Sequence, residues 1–430
     1  MLSTIEHLSH KLHRRWVPKW HEAFNDLEHG GFYERLGKGF KPVHTEHKRL
    51  VTQCRQIAIY SRATLDSRSP NYRTDLREKL AFLEEKYLVP QTGGWRFSIQ
   101  PDGTIKETIY DFYAHAFVIF TLSLYYKATK DDHAQKLAAQ TLELLDSQFH
   151  PARGPGLLEA LDENLNPVPS IRRQNPHMHL FEACLFAYDT WKEGRYILMA
   201  EEMHDLFTAR FYDPVTHTLG EFFSNDLTPH PEKGHLVEPG HHFEWVWLLK
   251  KYADLTGLDN KLLQDQRNQL LSWANTYGYD TKYGGIYDVL DREGEVIEAT
   301  KRIWPFAEAL KANAMMLDSG EDRDFLKQRM AEMVDVFEKG YIQERGFWTE
   351  SLNRDLSPRT DYLPGTTPYH LYFGIVETLS YLKSRGKSKS WRSLPRAFAY
   401  ESRRWLSQFV QGLIKGQKPQ SPNTEISTDK

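Results

Sequence analysis

A chain of 430 residues with 40% hydrophobic and 13% aromatic residues can bury a large core, and 26% charged residues suit a wet surface, which excludes a fibrous or largely disordered protein. A formal net charge of -3 and a pI near 6.7 supply no basic field of the kind that draws proteins to phosphate backbones, so nucleic acid is set aside as a partner. Two cysteines, Cys54 and Cys184, both among apolar or aromatic neighbours, exclude a disulfide framework and fit a reducing, cytoplasmic compartment.

In chain order, Met1 to Trp20 is broken by Glu6, His7, Lys11, Arg14 and Arg15 and lacks the uncharged core of a signal peptide. No apolar run approaches the roughly 20 residues that span a bilayer, so no membrane partner is expected. Glycines then punctuate the chain at Gly30, Gly93, Gly154, Gly220, Gly284 and Gly346, at intervals of 63, 61, 66, 64 and 62 by subtraction. Each precedes a short strand-like run: Phe32-Tyr33-Glu34, Trp95-Arg96-Phe97, Leu157-Leu158-Glu159, Glu221-Phe222-Phe223, Ile286-Tyr287-Asp288 and Phe347-Trp348-Thr349. Polar turns such as Pro101-Asp102-Gly103 and Asp291-Arg292-Glu293-Gly294 follow, so each unit carries a small hairpin.

The helical segments between hairpins are of two kinds. Tyr110 to Tyr126, Met178 to Trp191, His242 to Tyr252 and Tyr369 to Leu382 are aromatic-rich and sparsely charged, as helices covered on most sides would be. Asp131 to Phe149, Glu193 to Phe211 and Asp322 to Lys339 alternate charged and apolar residues at helical period, which marks one buried and one wet face. Six such units predict an all-α fold, an (α/α)6 barrel over residues 1–383 with short β-hairpins between paired helices; an open α-solenoid is the alternative. A basic linker and an amphipathic helix, Ala397 to Ile414, are expected over 384–414, and a polar disordered tail over 415–430.

Each inner helix carries a hydrogen-bonding or ionisable group near its start: Arg55, His115, His179, His241, Trp304 and His370, at intervals of 60, 64, 62, 63 and 66 by subtraction. Equivalent positions of six repeats lie at one height, so these groups are expected to converge at the barrel mouth. A lone buried histidine is more often structural, but four in one register point to a site. His10, His13, His133 and His204 fall on amphipathic or solvated faces and are left out. Asn175 reads as a helix cap. His179 with Glu182 and His241 with Glu244 share faces at i, i+3, where a carboxylate sets an imidazole's tautomer. His177 and His242 point elsewhere. The i, i+1 and i, i+2 histidine pairs diverge on a helix, so no metal site is expected.

Four stretches, Asn175 to Glu182, Pro239 to Trp245, Trp304-Pro305-Phe306-Ala307-Glu308 and Thr367-Pro368-Tyr369-His370, resemble the N-acylglucosamine 2-epimerase family, which includes cellobiose 2-epimerases, mannose isomerases and sulfoquinovose isomerases. The resemblance extends to about Leu382. It implies a metal-free base mechanism without cofactor in which His241 and His370 match the catalytic pair and His179 a third histidine. It places Arg55, Tyr113, Asn175, Glu244, Trp304 and Glu308 around the sugar, and His115, within Tyr113-Ala114-His115-Ala116-Phe117, resembles the isomerase branch.

The expected substrate is a small free monosaccharide, and the expected state a monomer or homo-oligomer. Proton transfer at C2 through an enediolate, with D-mannose becoming D-fructose, is the leading expectation. A 2-epimerase of mannose, N-acylglucosamine or cellobiose type and a sulfoquinovose isomerase are the alternatives. A glycoside hydrolase using Glu244 and Glu308 and a non-catalytic sugar-binding barrel are the readings from other classes.

Overall fold

The computed structural model describes residues 1–319, 322–343 and 345–384; the expected linker, last helix and tail lie outside them, Ser384 apart. Helix α1 (Leu2–Lys11) runs through a π-helical turn (Leu12–Trp16) into α2 (Val17–Phe24), and together these form the first outer element. Five further outer helices follow: α4 (Arg73–Tyr87), α6 (His133–Gln148), α8 (Gly194–Leu206), α10 (Lys261–Thr276) and α12 (Arg323–Val336). They alternate with inner helices α3 (Leu50–Thr64), α5 (Phe112–Thr129), α7 (Gln174–Trp191), α9 (Pro239–Thr256), α11 (Trp304–Met316) and α13 (Thr367–Ser384).

The two patterns of charge translate directly into burial. In α5 every residue from Ala114 to Tyr125 is buried, whereas α6 buries Ala134, Leu137, Ala138, Thr141, Leu142, Leu144 and Leu145, a single stripe at helical spacing. Several inner helices begin earlier than their aromatic runs suggest, because a proline tolerates the first turn, where its missing N–H has no partner to lose. Pro239 and Pro305 occupy such positions.

Closure of the ring is visible in both layers. Each inner helix packs on the next, and α13 packs on α3 and on α1, so the open solenoid does not form. The hairpins repeat the circuit at the barrel mouth. The residues just before an inner helix pair antiparallel with the following hairpin: 48–49 with 98–99, 110–111 with 160–161, 172–173 with 222–223 and 301–302 with 351–352. A Val237–Leu290 bridge makes the same link, and residues 363–364 return to 35–36. The last hairpin is therefore tied to the first.

Three histidines fasten hairpins to inner helices. His115, His177 and His242 each accept a hydrogen bond at Nε2 from the backbone N–H of Trp95, Leu157 or Leu219, at 3.0, 3.0 and 3.2 Å. Each donates from Nδ1 to the carbonyl four residues earlier, Asp111, Arg173 or Glu238. All three are fully buried, and burial lowers them to about 4, 3 and 3, which keeps them neutral as this double role demands. Both ring nitrogens of His115 are thus spent on backbone, and its ring lies against Tyr110 and Phe149. That is a correction to its expected place in the pocket.

Candidate active site

Two layers of side chains, one helical turn apart, line the barrel at the start of the inner helices. The lower layer is Arg55, Phe117, His179, Glu244, Glu308 and His370, at intervals of 62, 62, 65, 64 and 62 by subtraction. Its members meet in sequence around the axis. The Arg55 guanidinium lies 4.3 Å from the Phe117 ring centre, Phe117 lies 4.8 Å from His179, and His179 Nε2 lies 3.9 Å from Glu244 Oε1. Ligand atoms of Glu244, Glu308 and His370 lie within 4.8 Å of one another. Three or four residues earlier come Tyr113, Asn175, His241 and Trp304, the upper layer. The expected single ring mixed the two layers, because positions three or four residues apart share a helix face, and it took in His115, which two residues from Tyr113 and Phe117 is rotated off that face by more than half a turn.

His241 and His370 both pack against one indole. Their ring centres lie 5.0 and 5.4 Å from that of Trp304. Gly240 makes this packing fit, since a side-chain carbon there would come within 2.4 Å of the Trp304 ring. Each imidazole has its own carboxylate: His370 Nδ1 is 2.9 Å from Glu308 Oε1, and His241 Nδ1 is 2.9 Å from Glu221 Oε2. An ionised carboxylate only accepts, so each Nδ1 carries a proton and each Nε2 is left for chemistry. Glu221 corrects the expected pairing of His241 with Glu244. It comes from the hairpin, 20 residues before the histidine, and is steadied by the Gln174 side-chain amide at 3.0 Å.

The two histidines rest in opposite charge states. Burial opposes the charge on His241, but Glu221, Glu238 and Glu244 outweigh it and lift the group to about 9. Burial dominates at His370, with Arg55 adding repulsion against the pull of Glu308, and lowers it to about 4. At neutral pH the pair is an imidazolium and a neutral imidazole against the same indole.

The third histidine completes the wall. His179 Nδ1 donates to Glu182 Oε2 at 3.1 Å, and Tyr369 donates to the same oxygen at 2.5 Å, so the expected i, i+3 pair forms. Burial lowers His179 to about 4. Arg55 donates to the Tyr113 hydroxyl at 2.5 Å and to the Thr366 carbonyl at 3.4 Å, with Tyr369 under its guanidinium at 4.9 Å, and its Nε has no partner. Asn175 does not cap α7; Arg173 precedes the helix, and Asn175 Oδ1 is a buried acceptor without a partner, one turn from His179. Arg55 Nε and Asn175 Oδ1 thus leave a buried donor and a buried acceptor free at the barrel mouth.

Beneath the histidines lies a knot of charge that sequence reading missed in part. Glu182, Glu244 and Glu308 surround one buried ammonium, Lys311. Burial works against ionisation of Glu308, but Lys311 and His370 hold it at about 2, whereas burial and the Glu308 charge push Glu244 well up. Both Glu244 oxygens lack a hydrogen-bond partner. Three groups bring ligand atoms within 4.8 Å of one another: His179, Glu182 and Glu244; Glu221, Glu238 and His241; Glu244, Glu308 and His370. In each, the histidine nitrogen nearest a carboxylate already serves a hydrogen bond.

A sequence model of the N-acylglucosamine 2-epimerase (GlcNAc 2-epimerase) family matches residues 31–374. The mannose-6-phosphate isomerase of Rhizobium meliloti is 29% identical over 376 residues, covering 85% of this chain and 94% of that one. The D-mannose isomerase of Marinomonas mediterranea is 23% identical over 366 residues, covering 82% and 92%. Among solved structures, the cellobiose 2-epimerase of Bacillus thermoamylovorans superposes with a TM-score of 0.81 at 21% identity over 88% of this chain and all of that one, a likeness of fold.

Proposed function

The chain belongs to the N-acylglucosamine 2-epimerase family and is an isomerase acting on sugars, and from that premise we propose that it converts a free aldose to its ketose, D-mannose to D-fructose first, by metal-independent proton transfer at C2. The observation that carries this reading is the pair His241 and His370, one protonated and one neutral at neutral pH and both packed against Trp304.

In the proposed sequence His179 moves the proton that opens the hemiacetal, because only the open-chain sugar has a carbonyl to acidify its C2 hydrogen. Neutral His370 then takes the C2 proton at Nε2. Arg55, fixed by Tyr113 and Thr366, stabilises the enediolate oxygen by charge, and the His241 imidazolium supplies a proton to the oxygen that needs one. Return of the proton from His370 to C1, with the O2 proton passing back to His241, gives the ketose and restores both histidines.

The same intermediate supports a second reading. Delivery of a proton to the face of C2 opposite His370 gives the epimer, and His241, which reaches the same indole from α9 while His370 reaches it from α13, is the candidate donor. Epimerisation is therefore the runner-up on geometry. A cleft of about 530 Å3 bounded by Arg302, whose guanidinium lies 5.4 Å from the Trp304 ring centre, is lined also by Glu238, Asp288, Glu298, Glu350 and Arg359, and its acidic excess supports a neutral sugar over a phosphorylated one.

The test is proton and carbon NMR of D-mannose incubated in deuterated water with enzyme dialysed against EDTA, with mannose 6-phosphate in parallel. The reading expects fructose as first product from the free sugar, deuterium on the reacting carbon, and undiminished activity after dialysis. Glucose as first product establishes the epimerase, and loss of activity restored by a divalent ion contradicts the metal-free mechanism.

A further inference from the structure

The proton acceptor His370 has a second group behind its carboxylate. Glu308 offers Oε1 to the His370 Nδ1–H at 2.9 Å and turns Oε2 to Lys311 Nζ, 2.5 Å away as an ion pair. Lys311 sits three residues after Glu308 on α11, is 1% exposed, and rests its ammonium 3.9 Å from the centre of the Trp247 ring. The groups that face it are Glu308 on its own helix, Glu182 on α7 and Glu244 on α9. Arg55 on α3 and His179 on α7 face His370. Lys251, further along α9, answers to Glu377 and Asp189 before Glu182. One buried cation therefore serves three buried carboxylates.

We propose that Lys311 is a positioning residue for proton transfer at His370: a buried cation one helical turn below Glu308 that keeps this carboxylate ionised and aimed at the imidazole. The inference rests on the reading of His370 as the base. An ionised Glu308 only accepts, which forces the His370 proton onto Nδ1 and leaves the Nε2 lone pair facing the sugar. Without the ammonium, the low-dielectric barrel interior favours a neutral Glu308. A protonated Glu308 donates instead, Nδ1 becomes the acceptor, and the proton moves to Nε2. The base is then disabled although no side chain that meets the sugar has changed.

The direction in pH follows. Removing the cation lets Glu308 take up a proton at higher pH, and it also removes a repulsion from imidazolium at His370. Both changes move the acid limb of kcat/KM toward higher pH.

The experiment compares Lys311→Met, Lys311→Gln and Lys311→Arg with wild type in steady-state kinetics over pH, on the aldose the wild type turns over, with melting temperatures measured alongside. The proposal expects Lys311→Met and Lys311→Gln to lose about tenfold to a hundredfold in kcat with KM unchanged, as for residues that act through a ligand's partner. It expects their acid limb to rise by about one unit or more, and Lys311→Arg to restore most of both. Wild-type kcat and acid limb in Lys311→Met overturn it. So does an arginine variant as impaired as the methionine one, or a chain that folds with arginine and with neither neutral residue, since each marks a structural role. His370→Gln separates the two readings. If it still exchanges the C2 hydrogen with solvent, the base assignment falls and this proposal with it; if exchange is lost and the Lys311→Met limb stays in place, the Lys311 proposal alone falls.

Discussion

Alanine at His370 lowers turnover of the aldose by about 10² to 10⁴-fold, the range a positioned acid or base contributes, while the far-UV circular dichroism stays that of the wild-type helical barrel. His370 lies at the pocket edge of α13, and its one side-chain hydrogen bond is to Glu308, which keeps Lys311 when the imidazole is gone. Alanine at His241 has an effect of the same order, but it strands Glu221 more fully and costs more stability. A buried acceptor that loses its donor costs about 1–3 kcal/mol, and Glu221 retains only Gln174 and the distant Glu238 N–H. Steady-state kinetics with melting temperatures check both. Near-wild-type activity in either variant removes that histidine from the mechanism.

Glutamine at Glu221 produces the largest change in pH dependence. His241 holds its proton up to about 9 because Glu221 overrides burial. A histidine with a raised value is protonated below it and loses its proton as pH rises through it, so the wild-type alkaline limb is expected near 9. Glutamine preserves the shape and an acceptor oxygen for the Nδ1–H but removes the charge, and burial then acts unopposed by its main rival. The alkaline limb is expected to fall by about 2 units, so activity is largely retained at pH 6 and reduced about tenfold or more at pH 8. A limb that stays near 9 means that Glu221 does not set the charge of His241, or that His241 is not the acid.

Glu221 also shows what the sequence disclosed and what it concealed. The repeat was legible because glycine punctuation and charge patterning are local, and the sixfold count led to the barrel. The strand bridges Leu36–Pro42, Leu161–Pro167, Phe223–Pro229 and Leu352–Pro358 now give a sharper register than the glycines did. Two residues before each of these bridges stands an acid: Glu34, Glu159, Glu221 and Glu350. Asp288 holds the same place before Leu290, and Phe97 breaks the pattern in the second repeat. Glu34 takes Arg49, Glu159 takes Arg173, Asp288 takes Arg302 and Glu350 takes Thr367, all at or just before an inner helix. Glu221 takes the backbone N–H of Glu238 at the equivalent place and reaches on to His241 inside the helix. Helical periodicity, which suggested Glu244, carries no information about a partner from a hairpin.

The histidines divide for a related reason. His115 and His179 both stand near the start of an inner helix, yet one faces the hairpin and the other the axis. Composition does not separate them, but helix phase does: His115, His177 and His242 each stand two residues before a pocket-lining position, Phe117, His179 or Glu244, and so on the opposite face, whereas rank from the helix start does not, since His370 is like them a fourth residue. Helix starts differ by a residue or two between repeats, and without them the phase is lost. Lys311 escaped notice because a lysine three residues after a glutamate reads as an exposed helix pair, and only the closed barrel buries it.

The central claim is that one open-chain sugar lies between His241 and His370, the two imidazoles packed against Trp304. The most direct measurement is a crystal structure with D-mannitol, the acyclic alditol of the proposed substrate. C2 is expected within about 3.5 Å of His370 Nε2, with His241 Nε2 reaching the C1–C2 segment from the other side and Arg55 on an adjacent hydroxyl. An alditol that meets only one of the two histidines, or lies outside the barrel mouth, contradicts the account.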